Sequence, residues 1–230
     1  MNGKRLVAVV ALVALTAGAA VAAAPTDRVL PAHEYTTEKA RGLAAAHVRA
    51  LQELSAGIYH CWPWVDVPRN GIGFYRPRGA QQDDRHLSTR ISIEQEPSPA
   101  FASLRFEERA TAMFSRYIPP LLRRMTKDPN LAADPRLDGF TAIVDWPKPA
   151  PRGAGRPMSE TIAVFIDKAV AIEYLSGRGD IKTLPSRARV LGFDGETPLG
   201  QVTLGPAWDD NFVATFKVAN YQIEPGVVCR

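Results

Sequence analysis

Two cysteines, four histidines and no block of lysine or arginine are what 230 residues offer to chemistry. The histidines, His33, His47, His60 and His86, all fall in the first ninety residues and form neither a His-Glu-x-x-His motif nor an i,i+4 pair. No Cys/His cluster accompanies them, so the common zinc sites are excluded. A Gly-x-Ser-x-Gly elbow and a Ser-x-x-Lys motif are both missing, which removes the usual serine nucleophiles. Gly153-Ala154-Gly155 lies in a proline-rich stretch instead of between a strand and a helix, as a dinucleotide fingerprint requires. No cofactor and no metal are therefore expected. Lys4 and Arg5 supply two of the net four positive charges, and the rest are scattered, so no nucleic-acid footprint is present. No Asn-x-Ser/Thr acceptor occurs, and a chain rich in Ala and Arg but poor in Lys has the composition of a GC-rich bacterial source.

What is present begins at the N-terminus. Lys4 and Arg5 precede an apolar run from Leu6 to Val21, and Ala22-Ala23-Ala24 come before Pro25. A charged start, an apolar middle and a small-residue zone make a secretory signal peptide, assigned to residues 1–23. The run is shorter than the roughly 20 apolar residues that span a bilayer, and no second one follows, so no membrane span is expected after cleavage. The expected location is outside the cytoplasm, in the periplasm or the extracellular space. In that oxidising setting Cys61 and Cys229 read as one disulfide.

Residues 25–35 read as a short exposed lead-in. Thr36 or Thr37 caps a helix running to about Tyr59, with Glu38 in its positive first turn. Leu43, Ala44, His47, Leu51, Leu54 and Ile58 share one stripe of it. His47, inside that stripe, reads as a hydrogen-bonded core histidine. Ile72–Tyr75 is a short strand, and Leu87–Glu94 alternates apolar and polar residues as a half-buried strand with one wet face. A second helix runs from about Ala100 to Ile118 and stops or kinks at Pro119-Pro120. Phe140, Ala142, Val144 and Trp146 share a strand face. Pro147–Pro157 is a loop, Thr161–Ile166 a central strand, and Lys168–Leu175 a short helix. Val190–Phe193, Gln201–Leu204 and Phe212–Ile223 close the chain as strands. That order predicts a single α+β domain over residues 36–229, an antiparallel sheet with two main helices packed on one face.

The densest unusual patch is Tyr59-His60-Cys61-Trp62-Pro63-Trp64-Val65-Asp66, followed by Phe74-Tyr75-Arg76-Pro77-Arg78. Pro63 makes it hard to bury both neighbouring indoles, so Trp62, Trp64, Asp66, Tyr75, Arg76 and Arg78 form the candidate ligand-binding set, an aromatic platform with polar anchors. Catalytic residues are not identifiable. The expected role is that of an exported, non-enzymatic protein that binds a small molecule, a glycan or an envelope protein, or that serves the envelope structurally. The alternative is an exported hydrolase of glycan or peptide, with Asp66, His60 or Glu94 as acid or base.

Overall fold

A computed structural model describes residues 23–94, 98–148, 158–205 and 227–229. Its helices are α1 (Glu38–Ala46), α2 (Val48–Cys61), α3 (Pro99–Ala102), α4 (Phe106–Met125), α5 (Pro129–Ala133), α6 (Lys168–Leu175) and α7 (Leu184–Arg187). Its strands are β1 (Val65–Asp66), β2 (Ile72–Tyr75), β3 (His86–Ile93), β4 (Gly139–Pro147), β5 (Ser159–Asp167), β6 (Arg189–Asp194) and β7 (Thr197–Gln201). The seven strands form one sheet in the order β1-β3-β4-β5-β6-β7, with β2 also paired to β3.

Helices combined with a largely antiparallel sheet agree with the α+β reading, with two corrections. The sheet is mixed, because β3 and β4 run parallel, Leu87 facing Phe140 and Ile91 facing Val144. A parallel neighbour cannot be reached through a tight hairpin and needs a long crossover, usually helical. Helices α3 to α5 supply that crossover, so the second predicted helix sits inside a β-α-β unit. The helix count also differs: α1, α2, α4 and α6 each have more than seven residues, where two main helices were expected.

The long first helix is two helices because His47 leaves the helical region, at φ −118° and ψ 20°. The stripe nevertheless survives the break: Leu43, Ala44, His47, Leu51, Leu54 and Ile58 are all buried. Thr37 caps α1 by accepting from the Ala40 amide. In the second helix the break falls before the prolines. Ser98 caps the short α3. Arg105 then restarts the chain as α4, its amide donating to Glu108 Oε2 at 2.8 Å. Pro119 and Pro120 lie within α4 without ending it. The lead-in is also less exposed than expected. Tyr35 is buried with its hydroxyl accepting from the Phe74 amide at 2.9 Å. Leu30 donates its amide to the Ile72 carbonyl, beside the edge of β2.

Phe140, Ala142, Val144 and Trp146 on β4, Ile162, Val164 and Ile166 on β5, and Leu87 and Ile91 on β3 enter one apolar cluster with Leu51, Ile58, Phe114 and Ile118 from the helices. This is the helix-covered face of the sheet. Alternation along each strand sends Ser88, Arg90, Thr141, Ile143, Thr161 and Phe165 to the opposite face. The β6–β7 hairpin turns at Gly195, whose φ of +59° is the left-handed region glycine enters freely. Strand β7 spans Thr197–Gln201, so of the predicted strand Gln201–Leu204 only Gln201 is in it. The predicted strand Phe212–Ile223 lies outside the described residues.

Cys61 and Cys229 form the expected disulfide, 168 residues apart in sequence with Cα atoms 5.5 Å apart. Among the described residues no helix is long and apolar enough to cross a membrane.

Candidate functional site

The candidate ligand-binding residues do not converge on one place. Val65 pairs with Ile93 and Tyr75 with His86, the two ends of β3. At about 3.3 Å per residue, seven steps separate those pairing positions by about 23 Å. The indoles and the Tyr75–Arg78 segment therefore line different cavities.

At the first end, α2 stops at Cys61, where the disulfide holds residue 229. Both indoles are half-buried, as a proline between them requires. Trp62 meets Tyr117 edge-on at 6.2 Å, and the Arg124 guanidinium stands 4.9 Å over its ring. Asp66 turns elsewhere, pairing with Arg28 at 2.5 Å. His60 packs edge-on against Tyr59, and Glu94 is exposed beyond the end of β3. None of the three lines the cavities described here.

At the other end, Tyr75, Arg76 and Arg78 stand over the sheet face that the helices leave bare. A cleft of about 550 Å³ opens there. Its floor is the second face of β4, β5 and β6, with Ile143, Ala163, Phe165, Leu191 and Phe193, and its hydroxyl-bearing side is Ser88, Thr141 and Thr161. Its walls come from the segments flanking β2, with Arg69, Arg76 and Arg78 exposed at the rim and Arg90 rising from β3. The Arg78 guanidinium lies 5.9 Å over the Phe193 ring and that of Arg189 lies 4.1 Å over Phe165, so cations cap both floor phenylalanines. Arg189 also donates to the Arg78 carbonyl at 2.8 Å, tying β6 to the rim loop.

Tyr75 donates its hydroxyl to the Asn70 carbonyl at 2.5 Å, and burial, reinforced by Glu34, pushes its ionisation above the usual phenol range. It enters the cleft as a neutral, fixed ring. Asp145, on the same face of β4 as Thr141 and Ile143, is saturated. Arg90 donates to both of its oxygens, at 2.6 and 3.1 Å, and Thr161 donates to it at 2.6 Å. A second cavity of about 530 Å³ shares Pro77, Arg78 and Phe165 with the cleft and is bounded by His86, Asp167 and Arg187. His86 is buried with Nδ1 3.0 Å from Thr141 Oγ1, and burial lowers its pKa despite the opposing field of Asp167. A neutral imidazole results at physiological pH.

The sequence pointed to the rim but not the floor. Thr161–Ile166 is a central strand, between β4 and β6, and its second face is the base of an open cleft in which Phe165 and the neighbouring Ile143 are half-buried. The signal that could have found it is the pairing of Thr141/Ile143 with Thr161/Ala163/Phe165 at the off-core positions of adjacent strands. The predicted wet face of β3 is likewise uneven: Ser88 is buried in the cleft, while Arg90 and Glu94 are exposed.

Two buried polar groups belong to the scaffold. His47 donates to Asp134 at 2.8 Å, as expected of a core histidine, and Arg136 clamps the same carboxylate at 2.6 and 3.0 Å. Arg136 first, then His47, hold the Asp134 carboxyl far below the usual carboxylate range. Glu160 on β5 accepts from Arg109 of α4 at 2.7 and 2.6 Å and from the Trp146 indole at 2.9 Å. Among the described residues no group of three His, Cys, Asp or Glu side chains could hold a metal ion. No protein-family model, curated protein or solved structure matches the chain.

Proposed function

We propose that this is an exported binding protein whose cleft on the bare sheet face takes a small amphipathic anion, an apolar body carrying a carboxylate or similar group. The observation that carries this reading is the composition of the cleft: a floor of Ile143, Phe165, Leu191 and Phe193 beneath a rim of Arg69, Arg76 and Arg78. An apolar floor with a few convergent polar groups is the ordinary make-up of a ligand pocket, and about 550 Å³ suits a small molecule. The rim adds charge of one sign. The Asp145 carboxylate is already engaged by Arg90 and Thr161, so it offers neither a free base nor strong repulsion to an incoming anion. Among its described residues the cleft itself is lined by no His, Asp or Glu, which supports binding there over the hydrolase alternative. The leader and the Cys61–Cys229 disulfide support a location in an oxidising compartment.

Calorimetry with dodecanoate, dodecanol and dodecyltrimethylammonium tests the reading. Dodecanoate should bind saturably and more tightly than the alcohol, the cation should not bind, and added salt should weaken the complex. Ile143→Glu, which places a carboxylate on the half-buried floor, should abolish binding with little change in melting temperature. Equal binding of anion, alcohol and cation would rule the proposal out.

A further inference from the structure

The cavity at the other end of β3 is independent of that cleft and shares none of its residues. It measures about 430 Å³ and lies between the end of α2 and the middle of α4. Its lining combines ring faces, Trp62, Trp64 and Tyr117, with guanidinium groups, Arg116, Arg123 and Arg124, and among the described residues it includes no Asp or Glu. Arg123 and Arg124 each donate to a neutral partner. Arg124 donates to the Gly57 carbonyl at 3.2 Å while covering Trp62, and Arg123 donates to the Tyr174 hydroxyl at 3.0 Å. Burial lowers the pKa of Arg124, and among the described residues no carboxylate field offsets it. A half-buried cation in that state gains from an anion delivered by a ligand.

Pro119 has no N–H, so the Ser115 carbonyl loses the amide that would bond it one turn on. Ser115, Pro119 and Pro120 all line the cavity. The site thus brings together aromatic rings and cationic donors. It contains no Asn, Gln, Asp or Glu among its described lining residues, the side chains whose oxygens accept from the hydroxyls of a neutral sugar. We infer that this cavity binds an acidic saccharide, the sugar ring against the indoles and its carboxylate against Arg123 and Arg124. Cys61 and Cys229 line the same cavity, so the disulfide also holds one wall of the site.

The test is titration of the full chain with a tetrasaccharide of alternating glucuronate and N-acetylglucosamine, against the neutral N-acetylglucosamine tetrasaccharide and a mononucleotide. Tryptophan fluorescence and calorimetry provide the readouts. The chain has four tryptophans, so loss of a ligand-induced change in Trp62→Phe or Trp64→Phe assigns it to the half-buried indoles. The acidic sugar should bind saturably and at least about tenfold more tightly than the neutral one, from the worth of one charge-assisted hydrogen bond. Arg124→Gln and the exposed Arg123→Gln should each weaken it by about tenfold or more on the same ground. Arg78→Gln, in the other cleft, should leave it unchanged. Equal affinity for neutral and acidic sugars, tighter binding of the nucleotide, indifference to both arginine variants, or no binding at about 5 mM would each overturn the inference.

Discussion

Replacing Glu160 by Gln removes the charge at the centre of a deeply buried ion pair while keeping its shape. Glu160 is 2 % exposed and Arg109 9 %. Three donors converge on the carboxylate: Arg109 Nε at 2.7 Å, Arg109 Nη2 at 2.6 Å and the Trp146 indole at 2.9 Å. Arg109 also donates to the Leu104 carbonyl just before α4, so the pair joins the start of that helix to the sheet. In Glu160→Gln the amide nitrogen must face one of those donors, and the guanidinium loses its counter-charge in a place water reaches poorly. Breaking a buried pair from one side costs about 3–5 kcal/mol. For a chain of this size, each kcal/mol moves the melting temperature by about 2–4 °C, so the expected fall is roughly 6–20 °C.

The control separates the pair from the space it fills. Arg109→Met with Glu160→Met removes both charges and leaves apolar side chains of similar length, and buried pairs replaced in this way are often neutral or stabilising. The double variant should therefore melt above either single one. Thermal melts and urea titrations at neutral pH decide it. A Glu160→Gln protein within about 1 kcal/mol of the parent, or a double variant whose loss is the sum of the singles, would show that Arg109 and Glu160 are not coupled as the geometry requires.

Four further outcomes are expected. Cys61→Ser should lower stability by up to about 5 kcal/mol, the chain-entropy value for a loop closed over 168 residues, and mass spectrometry of the parent should find the Cys61 and Cys229 peptides linked. Tyr35, whose pKa burial pushes up to about 12, stays neutral in the folded state where the unfolded chain would ionise near 10. Its contribution is complete below pH 10 and lost as pH rises through about 12, so Tyr35→Phe should flatten the alkaline limb of the stability profile. Asp134, held low by Arg136 and His47, contributes stability that is complete above the unfolded carboxylate pKa near about 4 and declines as pH falls below it. Asp134→Asn should accordingly lose less stability between neutral pH and acid than the parent, measured as the shift in urea midpoint. Gly139→Ala would bring a methyl to 2.6 Å from both His86 Nε2 and the Ile166 carbonyl, and should destabilise by about 1–3 kcal/mol as an overpacked site.

Features written in a few adjacent residues were legible in the sequence. Lys168–Leu175 is a helix with the predicted bounds, and Thr37 caps α1. Each of these rests on periodicity or on a local hydrogen bond. What escaped depends on partners distant in sequence. His47 breaks a helix whose apolar stripe continues across it, because its ring bonds Asp134, 87 residues away. The prolines at 119 and 120 were expected to stop or kink a helix, with Leu121–Met125 adding a further turn or two; α4 is one helix through to Met125, with Ile118, Leu121 and Leu122 buried on either side. Packing across that turn outweighs the lost amide bonds.

The same distinction explains why the candidate site divided. The two aromatic and basic runs, 62–66 and 74–78, are near each other in sequence, and that proximity suggested one platform. Antiparallel pairing sends them apart instead. β1 and β2 both lie beside β3, but one aligns with Ile93 and the other with His86, so the chain between them runs nearly the length of β3. Each run then completes a surface built from residues far away: the indoles meet Arg123 and Arg124 of α4, and the 75–78 segment meets Phe165 and Phe193 of β5 and β6. Two cavities with basic residues at separate ends of one strand make a specific demand on any binding experiment. A ligand of the cleft must respond to Arg78 and not to Arg124, and a ligand of the indole cavity must do the reverse. An anion that lost affinity equally in both variants would be responding to net charge alone, and neither cavity would be its site.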